Sequence, residues 1–248
     1  MFDDFVFGKD VFLKTAYPLA LDSKDNWSPE DQKDQYGGFP LSIIADFWDG
    51  MEMAEGLFKM FPDKRSLLDL GTASGSVPLS MRRSGMNALG LEGQDCKNLD
   101  IPERYLKDPS LYAWKLAPEI VETCDITYPF KIVDSNGDVI KFDYIISTDC
   151  FEHLRAERLP ALFENIYSHL KDDGYGIFDI NTGTFHNMHQ IVQNRNWWKT
   201  VLSERFVIRE DLAAMNFIYI RAEIKDGIYR YRGSGLLDDW KIIIWVQK

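Results

Sequence analysis

Residues 67 to 76, Leu-Leu-Asp-Leu-Gly-Thr-Ala-Ser-Gly-Ser, combine an apolar run, an acid and a bend of small side chains. Leu67, Leu68 and Leu70 read as a buried strand with Asp69 near its end. Gly71, Ala73 and Gly75, with Thr72 between them, let the backbone turn sharply, approach a ligand closely and present amides at the start of the next helix. Such an edge suits a nucleotide-like cofactor. Leu89-Gly90-Leu91-Glu92 then places a carboxylate 23 positions beyond Asp69, where an acid accepts hydrogen bonds from both hydroxyls of a ribose. Cys124-Asp125-Ile126 offers a carboxylate and a backbone amide to an adenine edge. A later apolar run closes on Ser147-Thr148-Asp149 and continues into Phe151-Glu152-His153-Leu154.

The elements that must position these residues are legible as periodicity. Ile43, Ile44, Phe47, Trp48, Met51, Ala54, Leu57 and Phe58 recur at steps of three and four, which predicts a helix over 41–61 ended by Pro62. Beyond it, strands are expected at 67–70, 88–91, 142–147 and 175–180, and helices at 77–84 and 159–170. Such alternation predicts an α/β, doubly wound, mostly parallel sheet with helices on both faces, whose ligands sit at the carboxyl ends of the strands. In the last third, 217–224 and 240–246 are expected to pair as antiparallel strands around a turn at Asp226-Gly227 and to finish one edge of the sheet. The chain divides into an N-terminal helical lead-in or lid, 1–63, and a cofactor-binding domain, 64–248, that together make one folded unit. Trp197 and Trp198 are read as core, with one of the two free to line a pocket.

Composition bounds the partners. The 248 residues are 45% hydrophobic and 14% aromatic, enough for one large globular unit. A formal net charge of -11 works against binding nucleic acid, because that affinity rests on Lys and Arg neutralising phosphates. The first ten residues contain three aspartates and no long apolar stretch, unlike a secretory leader, and no segment has the length of apolar sequence that spans a bilayer. Cys96, Cys124 and Cys150 are odd in number and scattered, so neither a disulfide framework nor a zinc knuckle is indicated. The expected setting is cytoplasmic, with a small-molecule partner and no membrane; oligomeric state stays open.

The order of motifs resembles the class I S-adenosylmethionine-dependent methyltransferases, whose first loop commonly reads D-x-G-x-G-x-G and whose fourth strand often runs F-D followed, after eight intervening residues, by E-H. Here these are Asp69-Leu70-Gly71-Thr72-Ala73-Ser74-Gly75, and Phe142-Asp143 followed by Glu152-His153. The resemblance covers 66–180 and is closest to the small-molecule O-methyltransferases of the ubiquinone-pathway type. It implies a Rossmann-like seven-stranded sheet and S-adenosyl-L-methionine as donor, leaving S-adenosyl-L-homocysteine. By position, Asp69 and Gly71 flank the methionine part, with Thr72, Ala73 and Gly75 along the loop. Glu92 holds the ribose, Asp125 and Ile126 meet the adenine, and Thr148 lies at the fourth strand's end. Ala73 departs from the family's middle glycine, which is tolerable where the backbone keeps negative φ. A nicotinamide fingerprint, G-x-G-x-x-G, fails in this chain, since counting from Gly71 puts Ala73 and Ser76 at its glycine positions. A nicotinamide-dependent oxidoreductase and a non-catalytic cofactor-binding partner are the alternative readings.

Methyl transfer from a sulfonium is an in-line displacement, so much of the catalysis comes from alignment. A hydroxyl acceptor must lose its proton, and His153 is the nearest candidate base, with Asp149 beside it. Asp149, Glu152 and His153 also match an acid-x-x-Glu-His pattern that binds a divalent metal in some ubiquinone-pathway relatives. The alternative is that Glu152 and His153 cap and anchor the following helix, and no metal ligand is assigned from sequence. His186-x-x-His189 lacks neighbouring acids as a metal site. Asp143 is read as structural, near the start of its strand. The acceptor is a small hydroxylated molecule such as a sugar, a quinone-like ring or another metabolite.

Overall fold

The computed structural model describes residues 3–6, 10–17, 50–94, 96–98, 109–183, 189–212, 220–225, 228–233 and 241–248. In chain order its strands are Asp3–Val6 (β1), Val11–Thr15 (β2), Ser66–Leu70 (β3), Asn87–Glu92 (β4), Val121–Thr123 (β5) and Phe130–Asp134 (β6). Phe142–Thr148 (β7), Leu170–Asn181 (β8), Val207–Ile208 (β9), Ile220–Lys225 (β10), Ile228–Gly233 (β11) and Lys241–Gln247 (β12) follow. The α-helices are Met51–Met60 (α1), Ser76–Arg83 (α2), Ala113–Leu116 (α3), Leu159–His169 (α4) and Arg195–Ser203 (α5).

Seven strands make the central sheet in the order β5-β4-β3-β7-β8-β12-β9. The first five are parallel, and β12 runs antiparallel to both β8 and β9. From β3 the chain moves outward through β4 to β5, then returns to place β7 on the other side of β3. That reversal opens a crevice beyond the carboxyl ends of β3 and β7.

Side chains sort by the two-residue period of a strand. Leu68, Leu70, Ile145, Phe178, Ile180, Ile242 and Ile244 pack on one face with Leu162 and Ile166 of α4 and Trp198 and Leu202 of α5. Their neighbours Leu67, Tyr144, Ile146, Ile177, Ile243 and Trp245 pack on the other with Ala54 and Leu57 of α1 and Val77 and Met81 of α2. Both faces are covered, as in a doubly wound sheet. Trp198 is fully buried, while Trp197 is half-buried and meets it edge-on, ring centroids 5.1 Å apart.

Three differences from the expected layout follow from pairings that carry no local signal. First, β1 and β2 form strands rather than helix, and β2 pairs with β6 in a three-stranded antiparallel sheet. Second, β10 pairs with β11 in a separate two-stranded sheet, and it is β12 that joins the main sheet, through β8. Third, β9, only two residues long, supplies the edge. Of the helix expected over 41–61, only 51–60 falls among the described residues as helix; 41–49, His186 and the turn at 226–227 lie outside them.

Two polar devices pin the layers. Asp143, at the start of β7, accepts through Oδ2 from the Arg65 and Ser66 amides, each at 2.9 Å, and from Ser66 Oγ at 2.7 Å, and through Oδ1 from Lys171 Nζ at 2.8 Å. Burial raises its pKa, but these donors outweigh it and hold the group at about 2. The role is structural, as its position suggested. His169, at the end of α4, donates from Nδ1 to the Asn165 carbonyl at 2.8 Å and accepts the Ile132 amide at Nε2 at 3.0 Å, joining α4 to β6. Burial of this neutral ring pushes its pKa down to about 4.

Candidate active site

The bend after β3 is built from backbone conformations few residues adopt. Gly71, Ala73 and Gly75 all have positive φ, at 78°, 47° and 72°. A Cβ on Gly71 would lie 2.5 Å from Cys150 Sγ, and one on Gly75 would meet Ala113 Cβ at 2.6 Å and Val121 Cγ1 at 2.7 Å. Glycine is required at both positions by torsion and by space. At Ala73 the expected negative φ is not found. The residue is held left-handed, at a cost of about 1 kcal/mol, by bonds on either side of it. Its amide donates to Glu92 Oε2 at 2.8 Å, and its carbonyl accepts from Trp114 Nε1 at 2.7 Å.

Glu92, the last residue of β4, is buried with its carboxylate turned toward the bend. Its second oxygen accepts the Gln94 amide at 3.1 Å. Burial raises its pKa, and the backbone donors oppose the shift. Asp69 is buried, accepts from Thr72 Oγ1 at 2.6 Å, and is pushed up to about 7 by burial, with the Thr72 bond opposing and the Glu92 charge adding. Two acids with raised pKa therefore stand beside the bend. Asp125 and Ile126 follow β5 and are buried. Asp125 Oδ1 accepts from the Thr127 amide at 2.9 Å and hydroxyl at 2.7 Å, and its amide donates to the Tyr17 carbonyl at 2.9 Å. The Asp125 amide is thus used by the N-terminal segment, whose Tyr17 ring stacks on Tyr128 with centroids 3.9 Å apart.

Across the crevice, Thr148 ends β7 half-buried, opposite Asp179 of β8. Asp149 follows with φ of 48°, and both its carboxylate oxygens accept from Lys241 Nζ, at 2.6 and 2.5 Å. Lys241 also lies 3.5 Å from Asp179, a fully buried carboxylate whose pKa burial raises and the lysine lowers. Asp149 is thus the partner of a buried ammonium.

Glu152 and His153 occupy the single helical turn Phe151–His153. Rather than capping the following helix, Glu152 stitches the end of β8 and the loop beyond it to this turn. Its Oε1 accepts the Asn181 amide at 3.1 Å, and its carbonyl accepts the Gln190 and Ile191 amides at 2.8 and 3.0 Å. Those bonds bring His189 onto His153, ring centroids 4.9 Å apart and edge to face. His189 donates from Nδ1 to the Gly183 carbonyl at 2.7 Å. The acid that the His186-x-x-His189 pattern lacked is supplied by the fold, from Glu152.

Four contributors carried no readable sequence signal: Trp114, in the long stretch 94–122; Lys241, more than ninety positions from Asp149 along the chain; Asp179, inside a strand; and Cys150, which packs on Gly71. An aromatic residue just before the third parallel strand was the one available hint, for Trp114.

Residues 51–215 match the sequence pattern of a methyltransferase domain. No curated protein matches the chain. Among solved structures, a TehB-like SAM-dependent methyltransferase from Corynebacterium glutamicum aligns at 18% identity, covering 79% of this chain and 87% of that one, with a TM-score of 0.49. The glycopeptide N-methyltransferase MtfA complexed with S-adenosyl-L-methionine aligns at 11% identity, covering 82% and 96%, with a TM-score of 0.48. TehB from Haemophilus influenzae aligns at 15%, covering 79% and 61%, with a TM-score of 0.47. With two thirds of its length matched and the seven-stranded sheet described above, the chain belongs to the methyltransferase-domain family and has the Rossmann-like fold of the class I S-adenosylmethionine-dependent methyltransferases.

Proposed function

We propose that the chain transfers a methyl group from S-adenosyl-L-methionine to a small hydroxylated acceptor, such as a sugar, a quinone-like ring or another metabolite. The observation that carries this reading is the meeting of Glu92 with the left-handed bend at Ala73, beside the topological switch between β3 and β7. An acid and a row of small residues there suit a ribose and an amino-acid tail. Asp69, Gly71, Thr72, Ala73 and Gly75 are the donor-binding bend, with Glu92 at the sugar and Asp125, Ile126 and Thr148 bordering the base and the sulfur. Asp125 acts through its carboxylate, since its amide is used by Tyr17.

His153 lies beyond the carboxyl end of β7, on the acceptor side. An acceptor oxygen attacks the methyl carbon, the carbon–sulfur bond breaks with its pair going to sulfur, and the hydroxyl proton passes to the His153 imidazole and then to solvent. Holding oxygen, carbon and sulfur in line supplies most of the acceleration, and a positioned base adds about 10²–10⁴-fold. Of the N-terminal segment read as a lead-in or lid, Tyr17 lies on the base side, its carbonyl accepting the Asp125 amide. The family match removes the support for a nicotinamide-dependent reductase. A small-molecule acceptor in the cytoplasm and no nucleic-acid partner accord with the net charge of -11, and among the described residues no helix is long and apolar enough to cross a membrane.

Calorimetry with S-adenosyl-L-homocysteine tests the donor, with binding in the micromolar range expected. A panel of hydroxylated acceptors assayed with labelled donor tests the acceptor class. Absence of heat and of thermal shift with both donor and product would overturn the reading.

A further inference from the structure

The described residues bring three metal-ligating groups of Glu152, His153 and His189 together, with their ligand atoms within 4.8 Å of one another. We propose that they form a divalent-cation site of the zinc class. The reading concerns the site described above, and only its effect on turnover rests on the proposed methyl transfer.

The donor set has the required chemistry. Two imidazole nitrogens and one carboxylate oxygen suit zinc or a similar borderline cation, whereas calcium and magnesium favour oxygen ligands alone. Three protein ligands leave a fourth position open. His189 is prepared for the role: a carbonyl only accepts, so the bond to Gly183 puts the ring's hydrogen on Nδ1 and leaves a lone pair on Nε2. Glu152 is fully buried, and while Oε1 takes the Asn181 amide, Oε2 is buried with no hydrogen-bond donor. An unmet buried oxygen costs about 1–3 kcal/mol, and a cation meets it. Asp149, the acid that the motif alone nominates, is excluded because Lys241 holds both its oxygens. Metal bonds of about 2.0–2.2 Å draw the two half-buried rings inward by up to about 1 Å.

Occupancy has a consequence for turnover. A neutral imidazole that gives one nitrogen to a metal carries its hydrogen on the other, so His153 loses the lone pair that accepts the acceptor's proton. Metal binding therefore slows methyl transfer.

The test uses the full-length chain stripped with a chelator and titrated with zinc sulfate by calorimetry, with thermal melting alongside. One equivalent is expected to bind and to raise the melting temperature. His189→Ala is expected to weaken binding by more than about tenfold, and Glu152→Gln to do the same if it folds. Absence of a one-equivalent site, or a site indifferent to His189→Ala, overturns the proposal. S-adenosyl-L-homocysteine binding is measured separately on the same stripped protein. Loss of that binding with zinc retained sinks the methyl-transfer reading alone; the converse sinks the metal site alone.

Discussion

Glu92 Oε2 accepts the amide of Ala73 at 2.8 Å, tying the end of one parallel strand to the bend that follows its neighbour. The same carboxylate accepts the Gln94 amide, so one side chain orders two segments. Glu92→Ala leaves both amides without an acceptor and removes the candidate ribose ligand. S-adenosyl-L-homocysteine affinity is expected to fall more than about tenfold and stability by about 1–3 kcal/mol. Calorimetry and a denaturant titration read the two effects, and unchanged affinity would remove Glu92 from the donor site.

Ala73 itself pays for its left-handed torsion of 47°. Ala73→Gly relieves that strain but adds freedom to the unfolded chain, for a net gain of up to about 1 kcal/mol. The melting temperature is then expected to rise by about 1–4 °C. Ala73→Val, whose branched side chain tolerates the torsion less well, should lower it. A scanning melt of the two variants checks the opposite signs.

His169 makes stability depend on pH in a defined window. Its folded pKa of about 4 lies below the ordinary value of 6.5, so the unfolded chain takes up a proton first as pH falls. The contribution is complete above pH 6.5 and is lost between about 6.5 and 4, by on the order of 3 kcal/mol. Asp143 behaves oppositely in cause but acts lower: its folded pKa is depressed to about 2 from 3.8, so its contribution is lost only as pH falls below 3.8. Asp69 and Asp179, raised to about 7 by burial, act with the opposite sign over the same range, so the His169 loss is read as the difference in slope between urea titrations of the wild type and of His169→Gln from pH 7 to 4. An unaltered slope in the variant would rule out the ring as its source.

Lys241 lies against Asp149 and Asp179 in a nearly water-free setting, its side chain 4% exposed. Lys241→Met leaves the buried Asp179 without its counter-charge, at a cost of about 3–5 kcal/mol. Lys241→Met combined with Asp179→Asn should recover a measurable part of that loss, because the second change removes the stranded acid. Equal and additive losses in a double-mutant cycle by denaturant titration would show that the pair is not coupled.

Much of the architecture was legible because its signals are local. The run of leucines before Gly71, the apolar spacing of 159–169 and the small residues of the bend each specify an element within a few positions, and β3, β4, β7, α2 and α4 lie within a residue or so of where they were expected. Glu92 was placed correctly at the end of β4 for the same reason. The torsion at Ala73 was not legible, because a small side chain is compatible with either sign of φ and the bonds to Glu92 and Trp114 decide it. Nor were β1, β2 and β6, because the three-stranded sheet is completed only when β2 pairs with β6, more than a hundred positions away.

By itself the amino-acid sequence determined a strand-bend-helix edge at 66–83, an acid at the end of the next strand, and a Glu-His pair beyond β7, since torsional preference and apolar periodicity act over one or two turns of chain. Tertiary structure alone decided what those groups face. Sheet register and the Glu152 bonds to residues 181, 190 and 191 carried His189 onto His153, and the antiparallel return of β12 carried Lys241 onto Asp149. Such meetings depend on where strands dock and how loops close, and no periodicity in the intervening chain encodes them.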